Sequence, residues 1–317
     1  MKVLANDGIS KSGIDALEQA GIEVITTKVA QEQLINYINQ RQIDVILVRS
    51  ATTVRKEVID SCPSLKLIGR GGVGMDNIDV TYAKEKGIHV INTPAASSAS
   101  VAELVFAHLF TGVRFLYDAN RTMPLDGDTK FNDLKKSYAK GIELRGKTLG
   151  IVGLGRIGQE VAKIAIGCGM RVFACDKFVK NTSVTLDFFT GEQMTFTIET
   201  IPFKEVLSAS DFITLHIPAQ EGYVIGKEEI KLMKDGAGII NAARGGVLDE
   251  VALKEALDSG KLGFAGLDTF EEEPRPAIQV LMNPKISLTP HIGAATLEAQ
   301  DRIGLELAEK VINLLKH

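Results

Sequence analysis

The sequence predicts an α/β protein built from two doubly wound parallel-sheet domains, and three observations carry that prediction. Short apolar runs bounded by turn residues alternate with stretches of helical apolar spacing, the pattern of repeated β-α units. The chain has 317 residues, enough for two domains that each bury a core. Near its middle, the apolar run Leu149–Val152 leads into Gly153, Gly155 and Gly158 at G-x-G-x-x-G spacing, and Gln159–Ile166 continues with helical periodicity. In such a strand-turn-helix the first glycine permits the tight turn and the second lets a pyrophosphate approach the backbone. The third lets the helix pack close to the strand, and the phosphates lie over unpaired N–H groups at the positive end of the helix.

The motif alone is weak, because Gly69-Arg-Gly-Gly-Val-Gly74 also fits it. The next strand discriminates. After Gly158 that strand is Arg171–Asp176, and it ends in an acid about 18 residues on, where a carboxylate can accept both adenosine ribose hydroxyls. The strand after Gly74 ends in Asn92. The dinucleotide site is therefore placed at Gly153–Gly158, in a Rossmann domain. Asp176 argues for NAD over NADP, whose 2′-phosphate it would repel; the plainer reading of Asp176 is a turn residue ending a strand.

Composition narrows the function classes. Hydrophobic residues make up 45% and charged residues 24%, ordinary for a soluble globular protein. A net charge of −4 gives no reason to expect nucleic acid or an anionic membrane as partner. No apolar stretch approaches a membrane span, and the N-terminus runs straight into Lys2–Asn6 without the apolar core of a signal peptide. Cys62, Cys168 and Cys175 have neither metal-ligand spacing nor a C-x-x-C, so they read as reduced and mostly buried, and no metal is expected. The expectation is a soluble cytoplasmic protein.

In chain order, Val3–Asn6, Ile22–Ile25, Asp44–Val48, Leu65–Gly69 and Ile88–Ile91 read as strands, with amphipathic stretches such as Ser12–Gln19 and Gln31–Asn39 between them. Ser97–Ser100 then reads as the cap of a long helix, Val101–Tyr117, too apolar all round for a surface helix and suited to crossing between domains or to a subunit interface. Residues 120–145 are polar and read as a loop with short helical pieces. The second alternation starts at Leu144, with strands near 148–152, 171–175, 211–217, 237–241, 263–268 and 285–289. Val184–Ile198 alternates around Thr-Gly-Glu-Gln and reads as a β-hairpin insertion, a packing decoration rather than a functional element. The helix Leu297–Leu315 is placed to return to the first domain. The expected division is 1–97 plus 291–317 against 98–290.

Ligands bind outside the carboxyl ends of strands in such sheets. Arg244 follows the strand ending at Asn241, Glu273 the strand ending at Asp268, and His291 the strand Ile286–Thr289. With parallel strands these three are expected together at the nicotinamide end of the cofactor. Hydride transfer from a secondary alcohol needs a base for the hydroxyl proton, and histidine as a residue type titrates near neutrality. A carboxylate behind the ring fixes its tautomer, and an arginine binds a substrate carboxylate in a fork. Cofactor contacts are expected from Gly153, Gly155, Arg156, Ile157 and Gly158 in the loop, from Asp176 on the adenosine side, and from His216, Pro218, Ala242 and Asp268 beyond later strands. His89 and His108 lie in apolar patterns and read as core or helix-face residues, His317 is terminal, and Glu271 and Glu272 read as solvated charges.

Arg244-Gly-Gly, Leu-Asp268-Thr-Phe with Glu273-Pro, Pro-His291-x-Gly-Ala-x-Thr296, Gly-Leu-Gly-Arg-Ile-Gly158 and the stretch Ser210–Pro218 together resemble the signature of D-isomer-specific 2-hydroxyacid dehydrogenases. The resemblance covers nearly the whole chain. It implies a flavodoxin-like substrate domain and a Rossmann NAD domain, a homodimer built through the latter (with a tetramer possible), Arg244 as carboxylate binder, Glu273 as the histidine's partner and His291 as acid/base. Within that family, Val48–Thr52 and Ile68–Asp79 look most like the enzymes acting on 3-phosphoglycerate. That likeness places the Gly72-Val73-Gly74 backbone on a substrate carboxylate, and Arg49 and Arg70 on a substrate phosphate; the plainer reading has both arginines only stabilising their loops. Many such enzymes carry a C-terminal domain that senses serine, and the sequence leads us to expect no feedback through one here. Two alternatives stand beside a phosphorylated 2-hydroxy acid as substrate: reduction of hydroxypyruvate or glyoxylate, and an NAD-sensing binding protein akin to the corepressors that share this fold.

Overall fold

The alternation becomes two separate parallel sheets in the computed structural model, which describes residues Met1–Leu315. The sequence's terminal histidine, His317, lies outside the described residues. The chain divides into two compact units, Met1–Ser100 with the stretch from Ala294 onward, and Val101–Gly293.

In the first unit β1 (Lys2–Ala5), β2 (Glu23–Ile25), β3 (Val45–Val48), β4 (Leu67–Arg70) and β5 (His89–Asn92) pair in parallel in the order β2-β1-β3-β4-β5. This is the flavodoxin-like order. The connections carry α1 (Lys11–Gln19), α2 (Leu34–Arg41), α3 (Lys56–Ser61) and α4 (Val80–Glu85). All four residues of β3 are buried, as a parallel strand covered on both faces requires. His89 opens the edge strand β5 and is exposed, which corrects its reading as a core residue: apolar neighbours on an edge do not bury every side chain.

In the second unit α5 (Ser98–Val113, whose first turn belongs to the first unit), α6 (Leu116–Asp126) and α7 (Phe131–Ser137) precede the sheet. Its strands are β6 (Thr148–Val152), β7 (Arg171–Cys175), and, beyond the hairpin of β8 (Asn181–Asp187) and β9 (Gln193–Glu199), β10 (Phe212–Leu215), β11 (Ala237–Asn241), β12 (Leu262–Leu267) and β13 (Ile286–Leu288). All six sheet strands are parallel, in the order β13-β12-β11-β10-β6-β7, and the hairpin forms its own antiparallel pair, with Thr200 after β9 bridging Ala174 of β7. The remaining helices are α8 (Arg156–Gly167), α9 (Phe203–Ala209), α10 (Lys227–Leu232), α11 (Glu250–Ser259), α12 (Ile278–Leu281) and α13 (Leu297–Leu315). Helix α13 belongs to the first unit and packs there on α1, where a Cβ on Gly13 would come within 2.8 Å of Gly304. Strand order reverses between β6 and β10, the switch point at which such sheets bind ligands.

One stretch departs from expectation. The apolar helix begins at Ser98, with Ser97 directly before it and Ser98 and Ser100 in its first turn, and it ends at Val113, not Tyr117. Phe115 takes φ +55°, a conformation a helix cannot continue through, and the chain restarts as α6 at a bend of 56°. The span 120–145, read as a loop with short helical pieces, holds the larger part of α6 and the short helix α7. Polar composition and Pro124 inside α6 concealed the helix. Among the described residues no single helix is long and apolar enough to cross a membrane.

Candidate active site

The glycine loop joins β6 to α8, and each glycine meets a different demand. Gly153 has φ +98°, and a Cβ there would strike the carbonyl of His216. A Cβ on Gly158 would strike the carbonyl of Gly153, so strand and helix touch. Gly155, by contrast, faces open space, with nothing within 4 Å of where its Cβ would stand. It is also the N-cap of α8, with no side chain capping the helix, so the dipole end beside Arg156 and Ile157 is left to an anion. A dinucleotide pyrophosphate fits this cradle. At Gly69–Gly74 no helix follows until Val80, and Gly72 donates its N–H to Thr93 Oγ1 at 2.8 Å, so the second G-x-G-x-x-G lacks the helix end that holds phosphate.

Asp176 lies one residue past β7. Its Oδ2 accepts Leu154 N–H at 2.7 Å, and Oδ1 accepts Phe178 N–H at 2.8 Å and Val179 N–H at 3.0 Å. Burial pushes the carboxyl up, but the three backbone donors outweigh it and its pKa is lowered. The acid thus braces the glycine loop through Leu154. His216, one residue past β10, places Nε2 2.9 Å from Thr214 Oγ1, while its buried Nδ1 has no partner. Burial pushes its pKa down to about 3, so the ring is neutral. Pro218 is exposed just beyond it, and Ala242 is buried just past β11.

The loops after β11, β12 and β13 carry the other candidates. Asn241 shapes the first: its Nδ2 donates to Arg244 O at 2.9 Å and its Oδ1 accepts Ala243 N–H at 3.1 Å. Arg244 is half-buried, and its Nη1 donates to Ala243 O at 2.7 Å. A Cβ on Gly245 would overlap the carbonyl of Phe270, so the Arg244 loop lies in backbone contact with the Glu273 loop. Glu273 Oε1 accepts Phe270 N–H at 3.1 Å, and Oε2 stands 2.8 Å from His291 Nδ1. Both side chains keep substantial exposure, 40% for His291 and 36% for Glu273. A carboxylate only accepts, so Nδ1 carries the proton toward Glu273 and Nε2 is the ring nitrogen left for chemistry.

The structure adds residues that sequence patterns did not single out. Glu271 is not simply a solvated charge. Its Oε1 accepts Glu250 N–H at 2.9 Å, its Oε2 accepts Tyr223 OH at 3.3 Å, and Glu250 Oε1 accepts Glu271 N–H at 2.8 Å in return. This reciprocal pair ties the first turn of α11 to the Glu273 loop. Burial, then the neighbouring carboxylates, push Glu250's pKa up despite the N–H it accepts. Asp268, expected as a cofactor contact, is 1% exposed, and its carboxylate is engaged by Thr289, Ile292 and Gly293. These partners are 20 or more positions apart, which no local pattern encodes.

In the first unit Val48 of β3 pairs with Arg70 of β4, so Arg49 and Arg70 leave adjacent strand ends. Arg49 packs over Gly71, and the Arg70 guanidinium lies against Gly72. Gly72 N–H is spent on Thr93, which leaves Val73 and Gly74 as the N–H groups of that loop for a carboxylate.

Comparisons with known proteins add independent findings. The family model described as D-isomer specific 2-hydroxyacid dehydrogenase, NAD binding domain, matches residues 106–293. A hydroxypyruvate reductase of Thermotoga maritima is 42% identical over 99% of this chain and 98% of its own length. A D-3-phosphoglycerate dehydrogenase of Methanocaldococcus jannaschii is 41% identical over 100% of this chain, which spans 58% of that protein. A D-lactate dehydrogenase from Aquifex aeolicus, solved with NAD and lactic acid, superposes with a TM-score of 0.77 at 29% identity, covering 100% of this chain and 96% of that one.

Proposed function

The chain belongs to the D-isomer-specific 2-hydroxyacid dehydrogenases, NAD-dependent enzymes of small hydroxy acids, and from that membership we propose that its substrate is 3-phosphoglycerate, oxidised to 3-phosphohydroxypyruvate as the entry to serine synthesis. The observation that supports this substrate is that Arg49 and Arg70 leave neighbouring strand ends, Val48 being the registered partner of Arg70. Two arginines leaving adjacent strand ends would suit a dianionic phosphate, which a non-phosphorylated acid does not offer. The N–H groups of Val73 and Gly74 are the proposed carboxylate donors in the same unit.

The reaction roles derive from the second unit's geometry. NAD bound over Gly153–Gly158 supplies the hydride acceptor at the substrate's secondary carbon. His291 Nε2 takes the hydroxyl proton, and Glu273, 2.8 Å from Nδ1, holds the ring's orientation and tautomer. In the reductive direction the same nitrogen returns the proton. Arg244 binds the substrate carboxylate and polarises the adjacent carbonyl. Asp176 has two carboxylate oxygens with roughly four lone-pair directions, of which backbone donors use three; the remainder is proposed for the adenosine ribose.

A specific observation favours a second reading. The Thermotoga hydroxypyruvate reductase and the Methanocaldococcus phosphoglycerate dehydrogenase are nearly equally similar to this chain, 42% against 41% identical. Steady-state NADH oxidation with 3-phosphohydroxypyruvate, hydroxypyruvate and glyoxylate side by side separates the two. A preference in kcat/KM for the phosphorylated acid, lost in Arg70→Ala, supports the first. Equal or faster turnover of hydroxypyruvate or glyoxylate overturns it and leaves the catalytic roles standing.

A further inference from the structure

Behind the His291 loop lies a buried polar chain that has no part in the hydride or proton transfer itself. His108, on α5, is 2% exposed, on a helix face otherwise supplied by Val101, Val105 and Leu109. Gly266 of β12 makes room for it: a Cβ there would stand 2.6 Å from His108 Cβ. The ring reaches two hydroxyls, Nδ1 to Ser287 Oγ at 2.8 Å and Nε2 to Thr289 Oγ1 at 3.0 Å. Thr289 Oγ1 donates to Asp268 Oδ1 at 2.6 Å. Its single proton being committed there, the Thr289 hydroxyl accepts from the histidine. Nε2 therefore carries the ring proton and Nδ1 accepts from Ser287. Burial, only partly opposed by Asp268, pushes the pKa of His108 down, which agrees with a neutral ring.

The chain ends on the catalytic loop. Asp268 Oδ1 also accepts Ile292 N–H at 2.8 Å, and Oδ2 accepts Gly293 N–H at 2.9 Å. These are the two peptide groups that follow His291, which itself takes φ +55°, a conformation that a non-glycine residue keeps only when its surroundings hold it. A polar ring on an apolar helix face is costly unless its hydrogen bonds are made, and here both are made toward this loop. We propose that His108 is a positioning residue of the reaction: through Thr289 and Asp268 it fixes the 292–293 backbone, and with it the direction in which His291 presents Nε2. The inference rests on His291 as the acid/base.

The test is a double-mutant cycle on the full chain, using whichever of the three 2-oxo acids the parent turns over fastest. His108→Leu is expected to lower kcat on the order of tenfold, the scale of a displaced reacting group, with KM for NADH unchanged. His108→Gln, which keeps a donor and an acceptor, is expected to recover most of that loss. With Thr289→Val in the background, His108→Leu should cost nothing further, because the two act through one path. A kcat for His108→Leu within about twofold of the parent, independent multiplication of the two losses, or a Gln variant no better than Leu overturns the inference. If His108→Leu does not fold, Ser287→Ala, which strips the partner from His108 Nδ1, takes its place in the cycle with Thr289→Val; a loss in kcat without loss in NADH affinity is again required, and a parental kcat overturns the inference. His291→Ala separates the two claims. If it retains turnover, the acid/base reading fails; if it is dead while His108→Leu is fully active, only the positioning inference fails.

Discussion

The contact between His291 Nδ1 and Glu273 fixes the ring's tautomer, and the tautomer leaves a single nitrogen for proton transfer. His291→Ala is expected to lower kcat by about 10²–10⁴, the usual share of a positioned acid/base, with NADH affinity measured by fluorescence titration nearly unchanged; an active variant rules the role out. Asp176→Ala should raise kcat/KM with NADPH relative to NADH, and an unaltered ratio would leave Asp176 only its bracing of Leu154. His216 makes an acid-side prediction. Its folded pKa is depressed from 6.5 to about 3, so below 6.5 the unfolded chain binds a proton that the folded chain refuses. Its contribution to stability is complete above that value and falls as the pH drops toward 3. Urea midpoints from pH 7 to pH 5 should fall less steeply in His216→Gln than in the parent. At this scale the sequence marked the residues just past strand ends, because strand ends are legible from apolar runs. It did not mark Glu271, His108 or Asn241, whose partners are set by loops meeting in three dimensions.

Elements were legible to the extent that their periodicity was clean. The six parallel strands of the second sheet are short apolar runs, since a strand covered on both faces has no polar side to alternate. The hairpin β8–β9 was legible for the opposite reason: it alternates, and the Cα partners run without a slip from Asn181↔Glu199 to Asp187↔Gln193. Helix α6 was not legible, because its polar residues and Pro124 imitate a loop. Glycines within elements look alike in sequence and differ in structure. A Cβ on Gly112 of α5 or on Gly238 of β11 would enter the ring of Phe264, whereas Gly167 of α8 faces open space. Gly112→Ala and Gly238→Ala should each cost about 1–3 kcal/mol by overpacking. Gly167→Ala should instead gain about 0.5–1 kcal/mol from helix propensity. Thermal melts of the three variants check the contrast, and a destabilised Gly167→Ala would refute it.

At the scale of the whole molecule, the two sheets follow from composition and pattern, but assembly does not. The helical stretch that precedes the second sheet exposes Phe110, Leu116, Met123, Leu125, Phe131 and, just beyond α7, Ile142. Leu125 is 79% exposed. Large apolar side chains at this density are what an association surface would offer. Sequence periodicity could flag α5 as too apolar for solvent, yet not α6, most of which fell in a span read as a loop with short helical pieces. We propose that this stretch joins two copies of the chain through the NAD-binding unit. Light scattering behind size exclusion should then give twice the 34.2 kDa chain mass. A tetramer would keep this interface and require a second. Leu125→Asp with Phe131→Asp should bring the mass down to the monomer without changing the strand content seen by circular dichroism, because both side chains are exposed. A parent protein that is monomeric at micromolar concentration, or a double variant that still dimerises, would remove the assignment. In the first case the exposed stretch needs another partner, and in the second the dimer is built on another face.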